Sequence, residues 1–179
     1  DELEKMGKNV DKDQLQEAKD QLRQANGAWI GGTQLARMAT SDPSALMSSD
    51  STGAALLQAQ GLVQAAMLDE PTKRKAFLED AKPRLERGEQ LLVFTEFEVV
   101  ARKLVEALQQ NGINAKSYTG KNAGTRDKAR KEFQDGKLDV LVATQAGERG
   151  LTLHKASAIY HYDLPWTLEK VIQRTGRGV

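Results

Sequence analysis

Two arginines three residues apart, Arg174 and Arg177, stand with Gln173 in the closing stretch VIQRTGRGV, residues 171–179. If Thr167 to about Gly176 is helical, three- and four-residue spacings put Gln173, Arg174 and Arg177 on one face. A guanidinium is planar, permanently charged and able to donate paired hydrogen bonds, so this face suits the negative charge that develops on a phosphoryl group in transfer. A cation fixed there stabilises the transition state more than the ground state. The plainer reading is a helix C-terminus, with basic residues complementing the macrodipole and Gly176 and Gly178 as caps. Those nine residues alone leave both readings open.

Other segments have the makings of phosphate contacts. Short turns bearing Gly and Thr hold a strand's phosphates through backbone N–H groups and hydroxyls without reading bases. Thr144 ends an apolar run, and Gly147 and Gly150 follow in a turn that admits a backbone closely; a plain strand-to-helix turn is the alternative. Thr119, Gly120 and Lys121 form a second such segment, followed by Arg126, Lys128, Arg130 and Lys131, although Asp127 and Glu132 dilute that basic run and a solvated helix face explains it equally well. Trp166 either stacks on a base or packs under the last helix, His161 reads as structural, and Phe97 sits either on the sheet edge or near a domain interface. No G-x-x-x-x-G-K-[ST] loop and no Asp-Glu strand end occurs in the 179 residues, so the machinery that binds a nucleotide's phosphates and metal is not encoded here.

Two regions of different character must position these residues. From Asp1 to about Glu89 the chain is rich in Gln, Ala, Lys and Glu and reads as helical. Leu15, Ala18, Leu22, Ala25 and Trp29 recur at helical spacing, which predicts an apolar face with Trp29 in the core. Gly31 and Gly32 weaken the continuation, and SDP at 41–43 ends it, because the residue before proline is pushed out of the helix. A second apolar segment runs from Ala54 to Leu68. A third helix begins at Pro71 and Thr72 and should kink or divide near Lys82, where Pro83 removes a hydrogen bond.

After Gly88 short apolar runs alternate with amphipathic stretches. Strands are expected at 91–94, 113–118, 138–144 and 157–162, with helices over 99–110, 125–134 and from about Thr167. Strand–helix alternation with short connections implies an α/β fold, a mostly parallel sheet with right-handed crossovers and helices on both faces, preceded by an α-helical segment. In such sheets the chemistry lies at the carboxyl ends of the strands. The expected division is 1–70 as a helical leader and 71–179 as the α/β lobe.

Composition narrows the partners. With a net charge of +1 the chain is no bulk polycation that would announce nucleic acid, so any such contact must come from local patches. There is no cysteine, and His154 and His161 are the two histidines, which leaves little from which to build a metal site; none is expected from side chains. No apolar run approaches the ~18 residues of a membrane span and the start DELEKMGKNV lacks the core of a signal peptide. These features point to a cytoplasmic (nucleoid-associated) or nuclear protein that is not secreted, and to a piece of a longer chain.

The strand ends carry, in order, FTEF at 94–97, YTGKNAGTR at 118–126, ATQAGERGLTL at 143–153 and YHYDLPW at 160–166, before QRTGRG at 173–178. This ordered set resembles the second, C-terminal RecA-like lobe of superfamily 2 helicases and translocases, in the form similar to the Swi/Snf-type family. It covers residues 70–179 well and the helical part before it more loosely. Glu96, Glu148, Arg149 and Thr152 depart from the Swi/Snf pattern, and ERG and RTGR lean toward DEAD-box helicases.

The resemblance implies half of the motor of an ATP-dependent DNA translocase, moving on double-stranded DNA and inactive without the N-terminal RecA-like lobe, which would hold most of the ATP and Mg2+. It implies Arg177 as a finger reaching the other lobe's nucleotide, with Gln173 and Arg174 organising the cleft and Gly147, Glu148 and Gly150 at the nucleotide side. It implies strand phosphates held by Thr144 and by Thr119, Gly120, Lys121 and Arg126. Rival readings are a DEAD- or DEAH-like unwinding helicase and a non-catalytic RecA-like docking module.

Overall fold

The computed structural model describes residues 12–48, 52–61, 70–119, 123–144 and 153–176. By packing, the chain divides into two units, Asp1–Arg37 and Met38–Val179. Helix α1 (Lys12–Ser41) supplies every described residue of the first unit. It runs straight through Gly27, Gly31 and Gly32 rather than weakening there, because each glycine lowers helix propensity by only about 1 kcal/mol and Ala, Leu, Gln, Arg and Met surround them. Trp29 is 70% exposed, which corrects its expected place in a core. Among the described residues of this unit no other element is present against which the helix could bury an apolar stripe. The helix ends at Ser41, where Asp42 precedes Pro43 and a 3-10 helix, Pro43–Ser48, takes over.

In the second unit, α2 (Thr52–Ala59) stops before Gly61, which adopts φ +71; the expected continuation toward Leu68 lies outside the described residues from 62 onward. Helix α3 (Thr72–Glu86) starts just after Pro71 as expected, yet it does not divide at Pro83. Glu79, whose carbonyl loses its donor to that proline, and Pro83 itself both lie on the exposed side of the helix. No helix among the described residues is long and apolar enough to cross a membrane.

The strands are β1 (Leu91–Thr95), β2 (Ala115–Tyr118), β3 (Val140–Thr144) and β4 (Ala158–His161), all parallel in the order β2-β3-β1-β4. The central pair, LLVFT and VLVAT, are unbroken apolar runs ending in threonine, and every residue of both is buried, as a strand covered on two faces requires. Alternation then sends Leu91, Val93, Val140 and Val142 to one face, against Phe77 and Leu78 of α3 and Val100, Leu104 and Leu108 of α4 (Glu98–Gln110). Leu92, Phe94, Leu141 and Ala143 go to the other, against Ala129 and Phe133 of α5 (Ala123–Gln134). The α/β architecture with helices on both faces is therefore present, and Gly112 and Gly136, at φ +75 and +76, end α4 and α5 in the left-handed conformation that closes helices.

The chain leaves β1 through α4 on the first face, and Leu153, the first described residue after β3, packs on the second. The carboxyl ends of the two strands, Thr95 and Thr144, are directly paired in register. Phe133 is fully buried on the second face. Phe133→Ala should lower unfolding free energy by about 3–5 kcal/mol, read from urea denaturation, through lost burial and an unfilled cavity.

Candidate active-site edge

Just beyond β4 the N–H groups of Tyr162 and Asp163 both reach the carbonyl of Phe94, at 2.8 and 3.4 Å, which draws Asp163 onto the end of β1. Its carboxylate is 6% exposed. Oδ1 accepts from the Ser41 hydroxyl and from Lys73 Nζ at 2.9 Å; Oδ2 accepts from the Thr95 hydroxyl and from the Glu96 N–H at 3.2 Å. Burial pushes the carboxyl toward its neutral form, but the donors from Ser41, Thr95 and Lys73 outweigh it and hold the pKa below the ordinary carboxylate range. Lys73 also lies 4.6 Å from the centre of the Tyr162 ring, and the Tyr162 hydroxyl donates to the Ser41 carbonyl at 3.3 Å. Burial, with the Asp42 and Asp163 charges nearby, raises the Tyr162 pKa well above its usual value, so that hydroxyl is a donor at neutral pH.

The backbone carbonyl of Asp163 accepts from Arg174 Nη1 at 3.2 Å, while Arg174 Nη2 donates to the Glu96 carboxylate. The guanidinium carbon sits 5.5 Å from the centre of the Phe94 ring, and Arg174 is 1% exposed. It belongs to α6 (Leu168–Thr175), which begins at Thr167, whose side chain accepts from the Lys170 N–H at 3.4 Å.

Gln173 is exposed and donates to Glu169 at 3.2 Å. The expectation that Gln173 and Arg174 share a face is thus corrected: consecutive helical residues diverge by about 100°, and Arg174 turns inward while Gln173 turns out. Arg177 lies outside the described residues, as do Gly120, Lys121, Gly147, Glu148 and Gly150. Thr144 ends β3 at 4% exposed. Thr119 follows β2 half-buried, and Arg126 is drawn to the same strand end by the Tyr118 ring, 6.0 Å from its guanidinium carbon. In the basic run Glu132 pairs with Lys116, and Arg130 lies 3.9 Å from Asp127.

Three aromatic expectations resolve. Phe97 is buried in the core with Val100 and Leu104. Trp166 is 59% exposed instead of packing beneath the last helix; the neighbouring Pro165 takes the buried position. The His161 ring stacks on Phe94 with 6.1 Å between centres, and its Nε2 is 3.3 Å from the Thr175 hydroxyl.

Sequence reasoning named Glu96 only as a departure from the Swi/Snf pattern and did not single out Asp163, Lys73 or Ser41. Asp163 had a signal, a lone acid immediately after an apolar strand, where burial needs compensation. Ser41 and Lys73 had none, being 122 and 90 residues away from it.

Asp163→Ala removes one side of a buried ionic cluster and should cost about 3–5 kcal/mol in urea denaturation. With a folded pKa below the unfolded one, Asp163 contributes stability that is complete above the ordinary carboxylate range and is lost as pH falls through that range toward the lowered value. Urea midpoints measured between about pH 7 and about pH 3 should therefore fall less steeply in Asp163→Asn than in the wild type.

The family described as the helicase conserved C-terminal domain matches residues 73–179. ATP-dependent RNA helicase DeaD of Klebsiella pneumoniae is 33% identical over 87 residues, 48% of this chain and 14% of DeaD. The uncharacterized ATP-dependent helicase YqhH of Bacillus subtilis is 35% identical over 89 residues, 50% of this chain and 16% of YqhH. The chain thus spans a small part of the length of these curated relatives. The crystal structure of the Pyrococcus furiosus Hef helicase domain superposes with a TM-score of 0.52 at 31% identity, covering 70% of this chain and 26% of that one. With this match over more than half its length and the parallel sheet that accompanies it, the chain belongs to the helicase conserved C-terminal domain family and carries the C-terminal RecA-like lobe of a superfamily 2 helicase.

Proposed function

We propose that this chain is one half of an ATP-driven motor of the Swi/Snf-like kind, moving along double-stranded DNA and completed by an N-terminal RecA-like lobe that holds ATP and Mg2+. The observation that carries the proposal is the gathering of the ends of β1 and β4 and helix α6 around one buried carboxylate, Asp163, at the carboxyl edge of the sheet. That edge brings the FTEF and YHYDLPW segments together with QRTG at 173–176, which is what a shared cleft requires. The division proposed is 1–70 as helical leader and 71–179 as lobe.

In this reading Mg-ATP supplies the phosphoryl group whose transfer to water drives the motor. Arg177 is the finger that crosses to it, and Gln173 and Arg174 organise the cleft from α6. Gly147, Glu148 and Gly150 flank the nucleotide, while Thr144, with Thr119, Gly120, Lys121 and Arg126, holds strand phosphates. Thr144 and Thr95 are paired in register at the carboxyl edge and Thr95 donates to Asp163, which supports a link between the strand grip of this reading and its cleft. A second reading, RNA unwinding, is favoured by the identity to DeaD, whose name is that of an RNA helicase.

The test is ATP hydrolysis by the complete protein with duplex DNA, single-stranded DNA and RNA. Stimulation by duplex DNA is expected, and RNA-only stimulation would replace the first reading with the second; a response to none of them sinks both. Arg177→Ala should lower kcat by about 10³-fold or more at nearly constant KM for ATP. The 179-residue chain by itself should hydrolyse no ATP.

A further inference from the structure

Helix α6 is attached to the sheet by a charge. Arg174 is its one buried residue. Its large apolar side chains four apart, Leu168 and Ile172, are 74% and 64% exposed. An eight-residue helix has little stability of its own, and one whose apolar pair faces solvent is not oriented by hydrophobic burial. Two polar contacts tie it to the sheet: the Thr175 hydroxyl, exposed and 3.3 Å from His161 Nε2, and the buried Arg174 guanidinium, laid over Phe94, donating to the Asp163 carbonyl at 3.2 Å and paired with Glu96. The pair is dry: the two side chains are 0% and 9% exposed. Glu96 is itself fixed, because its N–H donates to Asp163 Oδ2 at 3.2 Å.

We propose that Glu96 is a positioning residue: by holding Arg174 it sets the rotation of α6, and with it the direction in which Gln173 and the chain running on to Arg177 face the cleft. This inference rests on the reading of the carboxyl edge as half of an ATPase site. A carboxylate is needed at this point because a desolvated guanidinium without a counter-charge is costly to bury, and the helix would relieve that cost by turning Arg174 out to water. Glutamine keeps an acceptor for one N–H but not the charge.

Two measurements test it. Hydrogen exchange on the 179-residue chain should show α6 amides exchanging about tenfold or more faster in Glu96→Ala, with β1 and β3 amides still protected. In the complete protein Glu96→Ala should lower nucleic-acid-stimulated kcat about tenfold or more, with KM for ATP within about twofold, and Glu96→Gln should recover part of both effects. Unchanged α6 protection in both variants overturns the proposal. So does a loss of protection that spreads equally to β1 and β3, which marks a purely structural role, and so does an unchanged kcat where Arg177→Ala abolishes turnover. If Arg177→Ala also leaves turnover intact, the ATPase reading of the edge fails, and the exchange data alone decide whether Glu96 sets α6.

Discussion

A buried carboxylate costs several kcal/mol to remove from water, and it persists only where donors replace its hydration. Asp163 meets that condition with four: two hydroxyls, an ammonium and a backbone N–H. Those donors come from the end of α1, the start of α3 and the turn after β1, segments far apart in the chain. The requirement to satisfy one charge therefore fastens the last turn of α1, the start of α3 and the end of the central strand β1 to a single point. Hydrophobic burial builds the two faces of the sheet, but it is indifferent to how their ends are aligned; the carboxylate supplies that alignment.

The same group reaches α6 by a different route, through its backbone carbonyl to Arg174. Two kinds of attachment thus meet at the carboxyl edge. The strands are held by apolar packing on both faces, which is dense and resists deformation. Among the described residues the last helix is held by directional polar contacts, the buried Arg174 guanidinium and the Thr175 hydroxyl beside His161. Its orientation is therefore defined by a handful of contacts at the carboxyl edge rather than by dense packing.

Much of the lobe was legible from residue order. Continuous apolar runs such as LLVF and LDVLVAT identified the central strands, since burial on both faces leaves no polar alternation, and the period of Val100, Leu104 and Leu108 identified the helix between them. The candidate edge was legible as a set of strand ends. What was not legible was direction: Gln173 and Arg174, read as one face, diverge because Arg174 found a carboxylate and an aromatic ring on the sheet side. Trp29 and Trp166, read as packed, are exposed, since helical spacing or proximity to a helix tells only that a side chain has a face to present, not that anything is there to cover it.

Local chemistry therefore determined the elements, their parallel arrangement and the superfamily, because periodicity and ordered strand-end segments act over a few residues each. Tertiary structure alone decided that Asp163 is the centre, that Glu96 and Arg174 form a dry pair beside it, and that Ser41 and Lys73 complete its shell. A charge buried by segments 90 and 122 residues away leaves no periodic trace, since its partners are chosen by where the sheet and its helices bring them in space.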